Sequence, residues 1–173
     1  MRVTMRHKGA SGFTLIEMVV VIVILAILSV AAASRWLSLT REARVAQLQQ
    51  LEASVQAANR LVYARSAISG VTQQEQASYF LNPGDKQKIL VRYGYPEWRG
   101  DAVPQLLTVT MKEWFYGASW TQKDIELRIG QRSLFKTPGD LLADDALACY
   151  LRVDTKSGTQ TKIVTTTVID SDC

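Results

Sequence analysis

Residues 15–34 read LIEMVVVIVILAILSVAAAS, a run in which Glu17 is the one charge and Ser29 the one other polar residue before Ser34. Counted from Phe13 the segment has about 22 residues, which as a helix extend roughly 33 Å and suffice for the roughly 30 Å hydrocarbon core of a bilayer. A stretch this apolar has to be covered, by lipid or by other protein. Arg2, Arg6 and Lys8 precede it without any Asp or Glu among them, so the positive-inside rule puts the N-terminus in the cytoplasm and the rest of the chain outside. A secretory signal peptide shares this opening form, and the small residues 31–33 would offer it a cleavage site. Against that alternative stand the length of the run, the acid at its start, and the lack of any turn residue before the next helical pattern.

Glu17 is the most informative residue in the chain, because a carboxylate entering a bilayer is costly unless it stays near the interface, is protonated or finds a partner. A plain anchor has no need of it. If the chain were cut before Phe13, the new α-amino group would be a cation within reach of Glu17 of another subunit.

Beyond Arg35 the pattern becomes one-sided. Leu48, Leu51, Val55, Ala58 and Val62 recur at spacings of three and four, with polar residues on the other faces. Neither Pro nor Gly occurs in residues 13–69, so the sequence predicts one helix of about 54 residues ending near Gly70. A coiled coil is the alternative for the second half, since the spacing permits one.

The remainder predicts a small head. Punctuation at Asn82-Pro83-Gly84, Gly94-Tyr95-Pro96 and Gly100 marks residues 70–104 as loop-rich and superficial. Within it, residues 77–81 read as a short helix or turn and residues 88–93 as a short strand, while residues 103–110 could open a helix or a strand. Residues 123–128 alternate as a strand, and residues 149–153 and 162–169 read as a hairpin turning at Lys156-Ser157-Gly158. The expected fold class is therefore α+β, a long N-terminal helix packed on a small antiparallel sheet. Two cysteines, Cys149 and Cys173, are too few and too far apart for a metal knuckle or a Cys-x-x-Cys redox pair. Placed at either end of the hairpin, they would close a loop worth roughly 3.5 kcal/mol in the chain-entropy account, if the compartment oxidises.

The residues Ser11-Gly12-Phe13-Thr14-Leu15-Ile16-Glu17, behind a basic leader and ahead of the apolar helix, resemble the processing and methylation signature of type IV prepilins. The resemblance implies cleavage between Gly12 and Phe13 by a prepilin peptidase, N-methylation of Phe13, and Glu17 pairing with a neighbour's amino terminus during filament assembly. Further stretches, MVVVIVILAIL, RVAQLQQLEASVQAANRLVYARSAISGV, Tyr93-Gly94-Tyr95-Pro96 and the closing Ala148-Cys149-Tyr150 with its Thr-rich strand and final Cys, are similar to mannose-sensitive haemagglutinin (MSHA) type pilins.

The implied organisation is a leader at 1–12, a transmembrane and filament-core helix at 13–34, its amphipathic continuation at 35–69, and a pilin head at 70–173. The implied function is a structural subunit of an extracellular pilus, stored in the bacterial inner membrane and supporting adhesion. The alternative is a low-copy minor pilin or a secretion-system pseudopilin acting in assembly priming, adhesion or DNA binding. The implied partners are other pilin subunits, the prepilin peptidase and N-methyltransferase, the inner-membrane assembly machinery and a host or surface glycan. The chain departs from many filament-forming pilins in carrying Ala26 where they have glycine and Ser34 where they have proline, which should strengthen this stretch of helix.

Other functions find little support in the sequence. The single histidine, His7, lies in the leader, so a processed chain has no imidazole base or ligand, and no cofactor is implied. Asp140, Asp144 and Asp145 lack the alternating ligand spacing of a calcium loop and fit helix capping near Pro138-Gly139. The formal net charge of +4 owes three cations to the leader, leaving about +1 and no broad footprint for nucleic acid, although Arg92, Arg99, Arg128 and Arg132 could converge. Of the tryptophans, Trp36 falls where a membrane interface is expected. Trp114 and Trp120, with Phe115 and Tyr116, read as core or helix cover in preference to a sugar-stacking platform.

Overall fold

The computed structural model describes residues 13–82, 84–110, 112–121, 124–157 and 162–173. Helix α1 (Leu15–Ile68) comprises 54 residues, as the absence of Gly and Pro predicts. It opens on Thr14, whose Oγ1 accepts the Glu17 N–H at 3.3 Å, satisfying one of the donors that every helix start leaves open. It closes on Gly70 at φ 69°. There the Gly70 N–H donates to Ala67 O and the Val71 N–H to Ser66 O, the paired bonds that a left-handed glycine makes available at a helix end.

The chain divides into two compact units between Arg41 and Glu42. In the second, α1 lies among two antiparallel sheets. The smaller comprises β1 (Ala77–Tyr79), β2 (Ile89–Arg92) and β3 (Tyr95–Pro96) in that order. After the short α2 (Val103–Leu106) comes a four-stranded meander, β4 (Trp114–Trp120), β5 (Ile125–Gln131), β6 (Tyr150–Ser157) and β7 (Lys162–Ile169), with α3 (Pro138–Leu142) between β5 and β6.

The stripe Leu48, Leu51, Val55, Ala58 and Val62 is buried throughout. Its lower part packs with Leu127, Ile129, Leu151 and Val153, which alternate along β5 and β6, and with Trp98. Val62 packs with Ile89 and Val91 of β2. The stripe is thus consumed within its own head, and the coiled-coil alternative is set aside. The fold is the expected α+β arrangement of a long helix on a small antiparallel sheet head.

Several expectations need correction. Residues 77–81 are neither helix nor turn: β1 pairs Ala77 with Val91 and Tyr79 with Ile89. Its Tyr79 hydroxyl donates to Val62 O and meets Ser66 Oγ, both at 2.9 Å, and burial pushes its pKa above the ordinary value. Nor is the region to residue 104 merely superficial, because Glu97 and Trp98 are almost wholly buried. Of residues 103–110 only the first four are helical. The aromatic segment at 114–120 is an edge strand, so Phe115 is buried while Trp120 is 65% exposed and no part of the core. β5 begins at Ile125, Lys123 and Gly158 lie outside the described residues, and β6 starts one residue beyond Cys149.

Thr155 sits in β6 between Ile125 and Val164 and is 1% exposed. Its Oγ1 is buried without a hydrogen-bond partner. Removing an unsatisfied buried hydroxyl at constant size is favourable, so Thr155→Val is expected to raise stability by about 1 kcal/mol, read as a higher urea midpoint at unchanged slope.

Candidate assembly surface on the N-terminal helix

Phe13 and the first part of α1, residues 15–33, present apolar side chains in every direction. Phe13, Leu15 and Ile16 are more than 70% exposed, and every large hydrophobic residue from Met18 to Leu39 is exposed as well. By length and composition α1 is the one described helix able to cross a membrane, and none of its apolar window is buried. Leaving this surface in water would forfeit about 1.5–3 kcal/mol for each large side chain that could instead be buried. The polar interruptions are satisfied locally. Ser29 Oγ donates to Leu25 O at 2.7 Å and Thr40 Oγ1 to Trp36 O at 2.9 Å, the back-bonding that lets a hydroxyl sit in an apolar medium. Trp36 is 73% exposed just beyond the run.

Glu17 differs from these hydroxyls. It occupies the third helical position after Thr14, and its backbone N–H is taken by the Thr14 side chain. A carboxylate here also meets the positive end of the helix dipole. Among the described residues, however, no hydrogen bond or ion pair reaches its side chain, which is exposed within an otherwise apolar surface. Thr14 is therefore the N-terminal cap of α1 as well as part of the processing signature, a local role that its place three residues before Glu17 makes legible in the sequence. Phe13 and Glu17 lie within one turn of each other at the start of α1; Gly12 and the basic leader lie outside the described residues.

The other candidate residues are used structurally. Cys149 and Cys173 are joined, with Cα atoms 4.8 Å apart, and Arg44 Nη1 donates to Cys173 O at 2.9 Å. Arg92 and Arg99 both pair with the buried Glu97 at 3.0 Å. Arg128 pairs with Glu126 and donates through Nη1 to Leu141 O and Ala143 O at the end of α3. Arg132 lies over the Phe115 ring at 4.8 Å. The four arginines are thus engaged by local partners, Arg92 and Arg99 by the same carboxylate and Arg128 and Arg132 elsewhere, which gives no support to a common phosphate-binding face.

Asp140 caps α3 together with Thr137. Hydrogen bonds from the Thr137 backbone N–H and then its side chain hold the carboxyl below its ordinary pKa of 3.8. Among the described residues, no group of three or more His, Cys, Asp or Glu side chains could hold a metal ion.

The prokaryotic N-terminal methylation motif family matches residues 7–33, a segment that contains Phe13, Glu17 and the apolar run through Ala33. No curated protein and no solved structure matches the chain. The matched motif, the long apolar-to-amphipathic helix and the antiparallel head together describe a type-IV-pilin-like protein, a structural subunit bearing the prepilin methylation motif.

Proposed function

We propose that this chain is a subunit of an extracellular type IV pilus of the mannose-sensitive haemagglutinin kind. It is held in the bacterial inner membrane with its N-terminus in the cytoplasm, cut between Gly12 and Phe13, methylated at Phe13, and then assembled with other pilin subunits. The processing enzyme is a prepilin peptidase and N-methyltransferase, and assembly falls to the inner-membrane pilus machinery. The observation that carries this reading is the surface at residues 15–33, apolar on every side apart from Ser29 and one carboxylate, Glu17, that has no partner among the described residues.

In lipid the apolar surface is content and the acid is not; in a bundle of identical helices both are satisfied if Glu17 of one subunit meets the Phe13 amino group of another. Apolar contact supplies cohesion, and the charge pair sets the axial register. Replacing the acid leaves a buried cation without its partner, a loss of well over the 1.4 kcal/mol that corresponds to a factor of ten. Glu17→Ala is therefore expected to lower the yield of sheared filaments about tenfold or more while the chain still accumulates in the membrane. Normal filament yield would refute the register role.

One observation favours the second reading, a low-copy minor pilin or pseudopilin. Helix α1 passes through Ala26 and residue 34 without interruption, where glycine and proline would let a helix loosen. Quantifying the chain against total filament mass distinguishes the two, since a major subunit would dominate that mass.

A further inference from the structure

A groove of about 640 Å³ opens in the head between one face of α1 and the mouth of the meander. On the helix side it is lined by Gln47, Gln50 and Ser54, spaced three and four apart and all exposed. Across from them stand Gln131 and Ser133, with Trp114 half-buried beside them. Gln131 Nε2 donates to Gln47 Oε1. That bond fixes both amides and leaves the Gln47 NH₂ as donor and the Gln131 Oε1 as acceptor for something else. The Gln50 side-chain amide makes no hydrogen bond among the described residues.

The volume lies within the roughly 300–1,000 Å³ of small-molecule sites, and the chemistry of the lining narrows the class of occupant. A purely apolar ligand would cover the Gln50 amide and the free Gln47 NH₂ and Gln131 Oε1 without pairing them, at a cost of about 1–3 kcal/mol for each group it buried. A group that concentrates several charges at one point, such as a phosphate, would meet little opposing charge, because the lining carries two cations, Lys112 and Arg132, and one carboxylate, Glu113. Amides and hydroxyls that both donate and accept, next to an indole, match a pyranose ring, whose hydroxyls do the same and whose C–H face packs on an aromatic surface. The small excess of positive charge suits a sugar carrying one carboxylate per ring.

We infer that this groove binds an acidic polysaccharide, with the amides of Gln47, Gln50 and Gln131 reading ring hydroxyls, Trp114 packing against the ring and Lys112 facing the uronate. The site stands independently of the assembly reading. It is tested by calorimetric titration of the detergent-solubilised full chain with hexagalacturonate, using maltohexaose as the uncharged counterpart. Hexagalacturonate is expected to bind more tightly than maltohexaose. Gln50→Ala should weaken binding about five- to tenfold, the effect of one hydrogen bond.

Lys112→Gln should erase the preference for the acidic oligomer and leave maltohexaose unchanged. Gln56→Ala, on the separate groove beside β7, should change neither affinity. Absence of binding by both oligomers, or an affinity that Gln50→Ala leaves intact, overturns the proposal. Because no filament enters the titration, its failure is distinct from a failure of assembly.

Discussion

Trp98→Ala is expected to destabilise the head by about 4 kcal/mol, enough to unfold a domain of ordinary stability at moderate temperature. Trp98 is wholly buried and packs in the main core against the lower part of the α1 stripe. Its Nε1 donates to Asn59 Oδ1 at 2.9 Å, and Asn59 is itself 9% exposed. The truncation therefore opens a large cavity and also strands a buried amide, two costs that add because no other donor among the described residues reaches that oxygen. Trp98→Phe separates them: it keeps most of the volume and loses the hydrogen bond, so its cost should fall to about 2 kcal/mol. Equal losses for the two variants, measured as urea midpoints of the detergent-solubilised chain, would show that packing contributes little there.

Replacing both Cys149 and Cys173 by serine is expected to cost about 3.5 kcal/mol, the loop-closure entropy that the bond removes from the unfolded chain. The bond closes the segment containing β6 and β7, whose sequence separation between cysteines is 24. Cys149 is 1% exposed and part of the main core, so a serine hydroxyl there adds a desolvation cost. The double alanine variant avoids that cost and isolates the cross-link. Reduction of the unmodified chain should lower the urea midpoint by nearly as much as the double alanine variant does. A shift under about 1 kcal/mol would mean that the hairpin is held by its pairing alone.

The helix was legible because residues 13–69 contain no Gly or Pro and because their apolar pattern changes from all-round to one-sided near Arg35. Both properties are local. β5, β6 and β7 were legible for a similar reason, since one face of each meets the core and the residues alternate accordingly. β1 was missed because three residues are too few to show a period, and it exists through its pairing with β2. Of the aromatic cluster, Phe115 is core and Trp114 and Tyr116 pack against core residues as read. Trp120, on the same face as those two but at the far end of the edge strand, is exposed because of where that strand end lies in the sheet.

Burial of Glu97 could not be read from its neighbours. A carboxylate in a Pro-rich segment is ordinarily a surface residue, and only the convergence of Arg92 and Arg99 makes its burial tolerable. The assembly residues were legible as a signature but not as a site, because the amino group proposed to meet Glu17 belongs to another copy. The groove at Gln47, Gln50 and Gln131 was invisible in sequence, its two walls being about 80 residues apart.

The central claim is that the apolar half of α1, trimmed to begin at Phe13, leaves the membrane by packing against other subunits. Intact-mass and N-terminal analysis of filaments sheared from cells and run without reductant tests this most directly. The account predicts a chain that starts at N-methylated Phe13, retains the whole of α1, and is lighter by two hydrogens for the Cys149–Cys173 bond. A released monomer whose first residue lies beyond Ala33 would make residues 13–33 an export signal and contradict the account.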